Sequence, residues 1–173
     1  MSTPSPALHD ITVVVIGPGD YYFGHGRTRI STLLGSCVSI TLWHPRKRIG
    51  GMCHYMLSER ARPPDSPPDA RFASEAFELL LYHIDIAGTR PSEYQAKLFG
   101  GSNMFTDEAG RRMAIGPRNI EFGQRFLTAN SIALIAQHIG GSGRRKLHFD
   151  LWSGDVWLAF PEGEGAKIRS YCG

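Results

Sequence analysis

Runs of β-branched residues and alternating apolar and polar positions recur along the chain and predict β-strands. Residues 11–16 form a β-branched run that the turn residues Gly17, Pro18 and Gly19 end. Residues 29–43 are apolar and hydroxyl-rich with an interruption at Gly35, after which the apolar positions 38, 40 and 42 alternate with 39, 41 and 43. The remaining predicted strands cover residues 49–57, 96–99, 131–139, 147–152 and 156–160.

Two segments carry a helical pattern instead. Apolar residues recur every three or four positions in residues 70–87, which predicts an amphipathic helix ending at Gly88. A second helix is expected from Asn119, as its N-cap, to about Thr128. Between strand and helix, residues 60–69 contain four prolines and are expected to form an exposed loop. Strands mixed with two main helices predict an α/β or α+β domain with a mixed β-sheet.

The length and composition are those of one globular domain. The chain has 173 residues, of which 42% are hydrophobic and 20% are charged. We expect a single domain over residues 11–173 behind a flexible leader, residues 1–10. No segment approaches the roughly 20 apolar residues that a membrane span needs, and no signal peptide is visible. Neither an internal repeat nor a second domain boundary is found.

The charge pattern does not indicate a nucleic-acid-binding protein. The net charge of +3 is mild. Two basic clusters, residues 46–48 and 144–146, are expected to be exposed, either as solvated charge or as contacts for an acidic surface. Residues 140–146 are rich in glycine and basic side chains, but they lack the spacing of a phosphate-binding loop and predict a flexible turn.

Three cysteines, Cys37, Cys53 and Cys172, form no disulfide framework by number or spacing, which favours a reducing compartment and a cytoplasmic protein. Alternation places Cys53 on the opposite strand face from His54, so a structural role is expected for it. Cys172 is next to the last residue and is expected to be an exposed bystander.

Cys37 and His54 are the candidate chemical pair. A hairpin loop centred between Pro45 and Arg46 would place Cys37 directly opposite His54, with Cβ atoms about 4.5–5.5 Å apart. A one-residue change in loop length would separate them. At that distance a neighbouring imidazolium would lower the pKa of the thiol and generate a thiolate nucleophile.

Gly35 precedes this pair at a position where the chain can turn sharply. By analogy with other nucleophile turns, the amides around Ser36 and Cys37 are candidates for stabilising an oxyanion. The alternative is that Cys37 is a small buried apolar residue and that His54 is a core residue whose hydrogen-bonding groups are paired. A metal site formed by both residues with His25, His44 or His148 is a further option, which no recognised ligand spacing supports.

Several segments, in order, carry a family resemblance: TLLGSCV (residues 32–38), GGMCHYML (50–57), KLFGGSNM (97–104), GPRNIEF (116–122), and IGG with GRR (139–145). They resemble the CheD family of chemoreceptor glutamine deamidases over roughly residues 10 to 160. The resemblance implies hydrolysis of receptor glutamines to glutamate through a cysteine thioester, without metal or organic cofactor. The implied partners are the cytoplasmic helices of methyl-accepting chemotaxis receptors and a CheC-type phosphatase, with no nucleic acid and no membrane insertion.

The resemblance also implies three catalytic residues. Cys37 and His54 match the family's cysteine and histidine. The family's hydroxyl residue is a threonine six positions before the cysteine, where this chain has Ser31, with Thr32 five before. Side chains an even number of residues apart share a face of a regular strand, which favours Ser31, six residues before Cys37. A bulge at Gly35 would shift this alternation by one residue and favour Thr32.

Two other classes of function remain open from the sequence. The same thiol chemistry could serve transglutamination, peptide hydrolysis or methylester hydrolysis. A non-catalytic regulatory module that binds receptors or a CheC-type phosphatase would need no reactive cysteine.

Overall fold

The computed structural model describes residues 10–104, 114–161 and 168–171, without the side chains of residues 168–170. The strands within these ranges are β1 Thr12–Val15, β2 Tyr21–His25, β3 Thr28–Leu34, β4 Val38–His44, β5 Ile49–Tyr55, β6 Gln95–Gly100, β7 Ala133–Ile139, β8 Arg145–Asp150, β9 Val156–Ala159 and β10 Ile168–Tyr171. The helices are α1 Ala73–Ile86 and α2 Ile115–Ala129, with a 3-10 turn at Pro91–Glu93.

The strands form two mixed five-stranded sheets. The first sheet has the order β1-β3-β8-β9-β10 and the second has β2-β5-β4-β6-β7. Each contains one parallel pair, β1 with β3 and β6 with β7, while the other pairs are antiparallel. The expected α+β architecture with two helices is confirmed. The chain changes sheets at residues 35–37, which bend between β3 and β4 and divide the predicted segment 29–43 in two.

The second sheet is the middle layer of the fold. Both helices pack on one of its faces, α1 mainly against β2 and β5 and α2 mainly against β4, β6 and β7. The residues of this core include Val38, Ile40, Leu42, Ala76, Phe77, Leu80 and Leu127. The first sheet packs on the opposite face, and Ile30, Leu34, Met52, Phe99, Leu147, Phe149 and Leu158 form that core. Period-two alternation along β4, β5 and β6 directs successive side chains to the two cores in turn.

The β4–β5 hairpin forms as predicted, but its expected register is wrong. Ser39, not Cys37, lies directly opposite His54. The loop between the strands contains the four residues 45–48, of which Arg48 has a positive φ of 51°. The loop centre is therefore one position later than expected, which shifts the pairing by two residues. A shift of two keeps every side chain on its predicted face.

Three further expectations are wrong in detail. Asn119 lies inside α2 rather than at its N-cap, which is Ala114, and its side-chain amide donates to the Met56 carbonyl oxygen at 2.7 Å. Strands β2 and β10 are not anticipated by the sequence pattern. Arg145 of the second basic cluster is buried, with 3% of its surface exposed, because β8 alternates and turns Arg145, Leu147 and Phe149 inward.

Several other expectations are confirmed, and some lie outside the described residues. The cluster at residues 46–48 is exposed, as are most of residues 60–69. Residues 1–9 of the expected leader, residues 105–113, and Cys172 are outside the described ranges. In the part of the chain that the structure describes, no helix is long and apolar enough to cross a membrane.

Candidate active site

A hydrogen-bonded pair joins the two sheets beside residues 35–37. The Thr32 hydroxyl on β3 lies 2.7 Å from Nδ1 of His54 on β5. The same hydroxyl donates to the carbonyl oxygen of Ile16 at 2.7 Å. Both side chains are buried, and Thr32 therefore spans the space between the first and second sheets.

These two contacts fix the tautomer of His54. A carbonyl oxygen only accepts, so the single hydroxyl proton of Thr32 is used on Ile16. Nδ1 of His54 must then carry a proton and donate it to the Thr32 oxygen. The basic lone pair of the ring consequently lies on Nε2, which is buried and has no hydrogen-bond partner among the described residues.

The environment of His54 also fixes its charge. Burial lowers the pKa of His54 to about 4, although the nearby Asp20 carboxylate acts in the opposite direction. The backbone is held by two bonds to the turn after β1, from His54 N–H to the Asp20 carbonyl at 3.1 Å and from Gly19 N–H to the His54 carbonyl at 2.8 Å. Near neutral pH the ring is a neutral, fixed base.

Cys37 is the last residue of the bend between β3 and β4. It is partly buried and packs against the core between the two sheets. Its carbonyl oxygen accepts the N–H of Gly101 at 2.9 Å, and that of Gly35 accepts the N–H of Ser102 at 3.0 Å. Gly100 has a φ of 105°, and a side chain there would collide with the Cys37 carbonyl oxygen. The backbone of residues 100–102 thus holds the cysteine bend.

The register places Cys37 and His54 as diagonal neighbours. Ser39 is directly opposite His54, and Cys37 comes two residues before Ser39, so alternation assigns all three to the side that faces the first sheet. Diagonal positions on an antiparallel pair have Cα atoms about 7–8 Å apart, with Cβ atoms somewhat closer. The Ser39 hydroxyl is fully buried and has no partner among the described residues.

The electrostatics differ from the expected thiolate and imidazolium. Burial raises the pKa of the Cys37 thiol, and burial lowers the pKa of His54. Both shifts favour the uncharged forms. Near neutral pH the free protein therefore holds Cys37 as an uncharged thiol and His54 as an uncharged imidazole.

Ser31 and Thr32 make different contacts. The Ser31 hydroxyl lies 2.6 Å from Nδ1 of His148, its directly opposite residue on β8. Consecutive residues of a strand point to opposite faces, so only Thr32 faces the second sheet and reaches His54. The expectation that Ser31 shares a face with Cys37 is wrong, because the two residues do not lie on one continuous strand. Ser31 and Thr32 lie on β3, which ends at Leu34, before Cys37.

The other expected site residues are also placed. Gly35 and Ser36 form the bend, and the N–H groups of Ser36 and Cys37 have no backbone acceptor in the described ranges. Cys53 is fully buried on the helix side of the sheet, as predicted, and burial raises its pKa to about 12. No three His, Cys, Asp or Glu side chains within residues 10–104, 114–161 and 168–171 are grouped to bind a metal ion.

The sequence pattern did not predict the backbone groups that hold Thr32 and the cysteine bend in place. The Ile16 carbonyl leaves no side-chain signal, because a backbone acceptor is available at any residue type. The role of residues 100–102 was partly visible, since paired glycines indicate close backbone packing. Their contact with the cysteine bend depends on β6 lying next to β4, which a sequence pattern does not specify.

Comparison with known proteins gives a consistent family assignment. A family model described as CheD chemotactic sensory transduction matches residues 56–160. The matched segment begins after His54 and so includes none of Ser31, Thr32, Cys37 and His54.

Curated relatives align over more of the chain. A probable chemoreceptor glutamine deamidase, CheD 3, of Dechloromonas aromatica (strain RCB) is 66% identical over 170 residues, which are 98% of each chain. One of Pseudomonas syringae pv. syringae (strain B728a) is 46% identical over 152 residues, 86% of this chain and 84% of the relative. A third, of Leptospira interrogans, is 38% identical over 153 residues, 84% of this chain and 90% of the relative. With a family model that covers more than half of it and relatives at these identities, the chain belongs to the CheD family.

Proposed function

We propose that this protein is a cysteine-dependent amidohydrolase that converts glutamine side chains of chemoreceptors to glutamate. The observation that carries the proposal is the Thr32–His54 hydrogen bond, which leaves a bare Nε2 on the side of the sheet assigned to Cys37. The relatives named as probable chemoreceptor glutamine deamidases supply the substrate class. Cys37 is the nucleophile, His54 the general base and acid, and Thr32 the residue that orients the imidazole.

The first half of the reaction forms a thioester and releases ammonia. As Sγ of Cys37 attacks the carboxamide carbon, its proton passes to Nε2 of His54. The carbon–nitrogen bond then breaks, and His54 returns the proton to the departing nitrogen. The neutral resting pair suits this sequence, because a neutral imidazole can take the thiol proton whereas an imidazolium cannot.

The second half hydrolyses the thioester. Water gives one proton to Nε2 of His54 as its oxygen bonds to the acyl carbon, and the carbon–sulfur bond breaks. The Cys37 sulfur recovers the proton from His54, and the product is glutamate. In both halves the amides of Ser36 and Cys37 are the proposed donors to the tetrahedral oxyanion, which their lack of a backbone acceptor in the described residues supports.

The partners follow from the substrate class. The cytoplasmic helices of methyl-accepting receptors are the proposed protein ligand, and the cytoplasm is the proposed location. A CheC-type phosphatase is proposed as a second partner. It is testable by co-purification of the two proteins.

The test is incubation of the protein with the cytoplasmic region of a candidate receptor. Release of ammonia with Gln-to-Glu changes mapped by mass spectrometry supports deamidation. Incorporation of an added primary amine at those glutamines indicates transglutamination instead. Receptor binding without any change of mass would instead establish the alternative function, a non-catalytic regulatory module.

A further inference from the structure

The side chain of Arg145 is buried at the start of β8 and makes no ion pair among the described residues. Only 3% of its surface is exposed. A buried guanidinium must be satisfied by hydrogen bonds, because the desolvation of its charge is otherwise uncompensated. Its Nε donates to Nδ1 of His138 at 2.8 Å, one terminal nitrogen donates to the Ser102 hydroxyl at 2.5 Å, and the other donates to the Gly140 carbonyl.

The acceptors of Arg145 are connected to the cysteine bend. Ser102, which accepts from the guanidinium through its hydroxyl, donates its own N–H to the Gly35 carbonyl at 3.0 Å. The neighbouring Gly101 donates to the Cys37 carbonyl at 2.9 Å. Gly140, the third acceptor, donates its N–H to the Gly100 carbonyl at 2.9 Å. Residues 100–102 are therefore held from one side by Arg145 and hold the bend on the other.

We propose that Arg145 is a positioning residue for the nucleophile, which acts through Ser102 and residues 100–102 to fix the Cys37 sulfur relative to His54. The proposal rests on the role of Cys37 in the proposed function. Its physical basis is the sensitivity of catalysis to geometry, since a displacement of about 1 Å can lower a rate about 100-fold. Arginine suits the position because its planar fork reaches three separate acceptors in fixed directions, whereas an ammonium group is a compact charge without that geometry.

The variants that test this role are Arg145→Lys, Ser102→Ala and the double variant. Arg144→Gln is the matched control, because it removes one positive charge from the exposed neighbour in the same cluster. Each variant is assayed for kcat and KM with a receptor cytoplasmic region. In parallel, the rates of iodoacetamide labelling of Cys37 and Cys53 are followed separately by peptide mass spectrometry. Cys53 is fully buried and reports unfolding of the domain.

We expect kcat to fall about 10- to 100-fold in Arg145→Lys and Ser102→Ala, with KM within about twofold of wild type. Cys37 labelling should rise at least about threefold, because a released bend exposes a thiol that burial now protects. Cys53 should stay unlabelled in Ser102→Ala. The double variant should be no more impaired than Arg145→Lys, because both changes break the same connection. Arg144→Gln should match wild type in all four measurements.

Wild-type kcat and wild-type Cys37 labelling in Ser102→Ala would overturn the proposal, as would a loss of kcat that coincides with labelling of Cys53 in that variant. Additive losses in the double variant would also contradict it. If Arg145→Lys does not fold, Ser102→Ala decides alone, since it keeps the guanidinium. Absence of deamidation by the wild-type protein would refute the proposed function, while the Cys37 labelling rates would still test the positioning of the bend.

Discussion

The Thr32 hydroxyl, on one sheet, and Nδ1 of His54, on the other, lie 2.7 Å apart, and this bond determines which nitrogen of the ring is basic. Because Thr32 donates its only proton to Ile16, the imidazole donates through Nδ1 and presents Nε2 as the acceptor. The hydroxyl thus sets the tautomer of the His54 ring as well as linking the two sheets.

Removing this hydroxyl should impair the proposed reaction. We expect Thr32→Val to lower kcat about 10- to 100-fold, because His54 loses the partner that sets its tautomer and orientation. Its fold should also be less stable by about 1–3 kcal/mol, since the Ile16 carbonyl and His54 Nδ1 become unpaired buried groups. Steady-state kinetics and urea unfolding measure the two effects.

The matched controls are Thr32→Ser, which keeps the hydroxyl, and Ser31→Ala, which removes the neighbouring hydroxyl that contacts His148. Both should retain kcat within a few-fold of wild type. A larger loss in Ser31→Ala than in Thr32→Val would show that the orienting hydroxyl has been assigned to the wrong residue.

The buried imidazole should also make the fold sensitive to mild acid. The folded pKa of about 4 for His54 is below its ordinary value of about 6.5. Between these values the unfolded chain binds a proton at His54 that the folded chain does not. Stability is therefore fully present above pH about 6.5 and falls as the pH drops towards 4, by up to about 1.4 kcal/mol per pH unit and about 3 kcal/mol in total. Burial also lowers the pKa of His148, which adds to the loss.

The measurement is urea unfolding at several pH values between about 7.5 and 5 for wild type and His54→Gln. The variant should show a smaller loss of stability on acidification. His25→Gln, at an exposed histidine, should behave like wild type. Equal acid sensitivity in wild type and His54→Gln would show that the ring is not buried in its neutral form.

The thiol should titrate above its ordinary range in the absence of substrate. Since burial raises the pKa of Cys37 and His54 is uncharged, the alkylation rate of the Cys37 peptide should keep rising with pH and reach its midpoint only above the ordinary thiol value of about 8.5. Peptide-resolved iodoacetamide labelling across pH 5 to about 10 gives this profile. An inflection well below pH 7 would instead demonstrate a resting thiolate–imidazolium pair.

A side chain at the glycine that packs on the cysteine bend should destabilise the fold. Gly100→Ala places a Cβ against the Cys37 carbonyl oxygen at a φ of 105°. Gly88→Ala is the matched control, because Gly88 also has a positive φ, of 67°, but a Cβ there meets nothing within 4 Å. The control should lose about 1–2 kcal/mol from backbone strain alone. Gly100→Ala should lose about 1–3 kcal/mol more and should also lower kcat. Equal losses of stability with wild-type kcat in both variants would refute the close packing.

The sequence predicted the elements better than their arrangement. Alternation in β4 assigned Val38, Ile40 and Leu42 to one core because period-two burial is a local property. Strand β2 was missed because Tyr21–His25 shows no such alternation and contains Gly24. The division into two sheets at residues 35–37 was not predictable, because it depends on which strands pair over long range.

The candidate pair Cys37 and His54 was identified from hairpin reasoning and family resemblance, while its geometry was not. The loop centre was misplaced by one position, so the pairing of His54 was assigned to Cys37 instead of Ser39. The choice of Thr32 over Ser31 depends on which face of β3 meets the second sheet, and a strand pattern with hydroxyls on both faces does not decide that. Arg145 was predicted to be exposed because its residue type indicates a surface position. Its burial depends on which face of β8 it occupies, and residue type does not specify that.

The most direct test of Cys37 as the nucleophile is the rate of Gln-to-Glu conversion in a receptor cytoplasmic region by two matched variants, Cys37→Ala and Cys53→Ala. Each removes one thiol group and leaves a methyl side chain, the first at the proposed nucleophile and the second in the core beneath the helices. We predict no detectable conversion by Cys37→Ala and conversion near the wild-type rate by Cys53→Ala. Conversion of the same glutamines by Cys37→Ala at the wild-type rate would contradict this prediction.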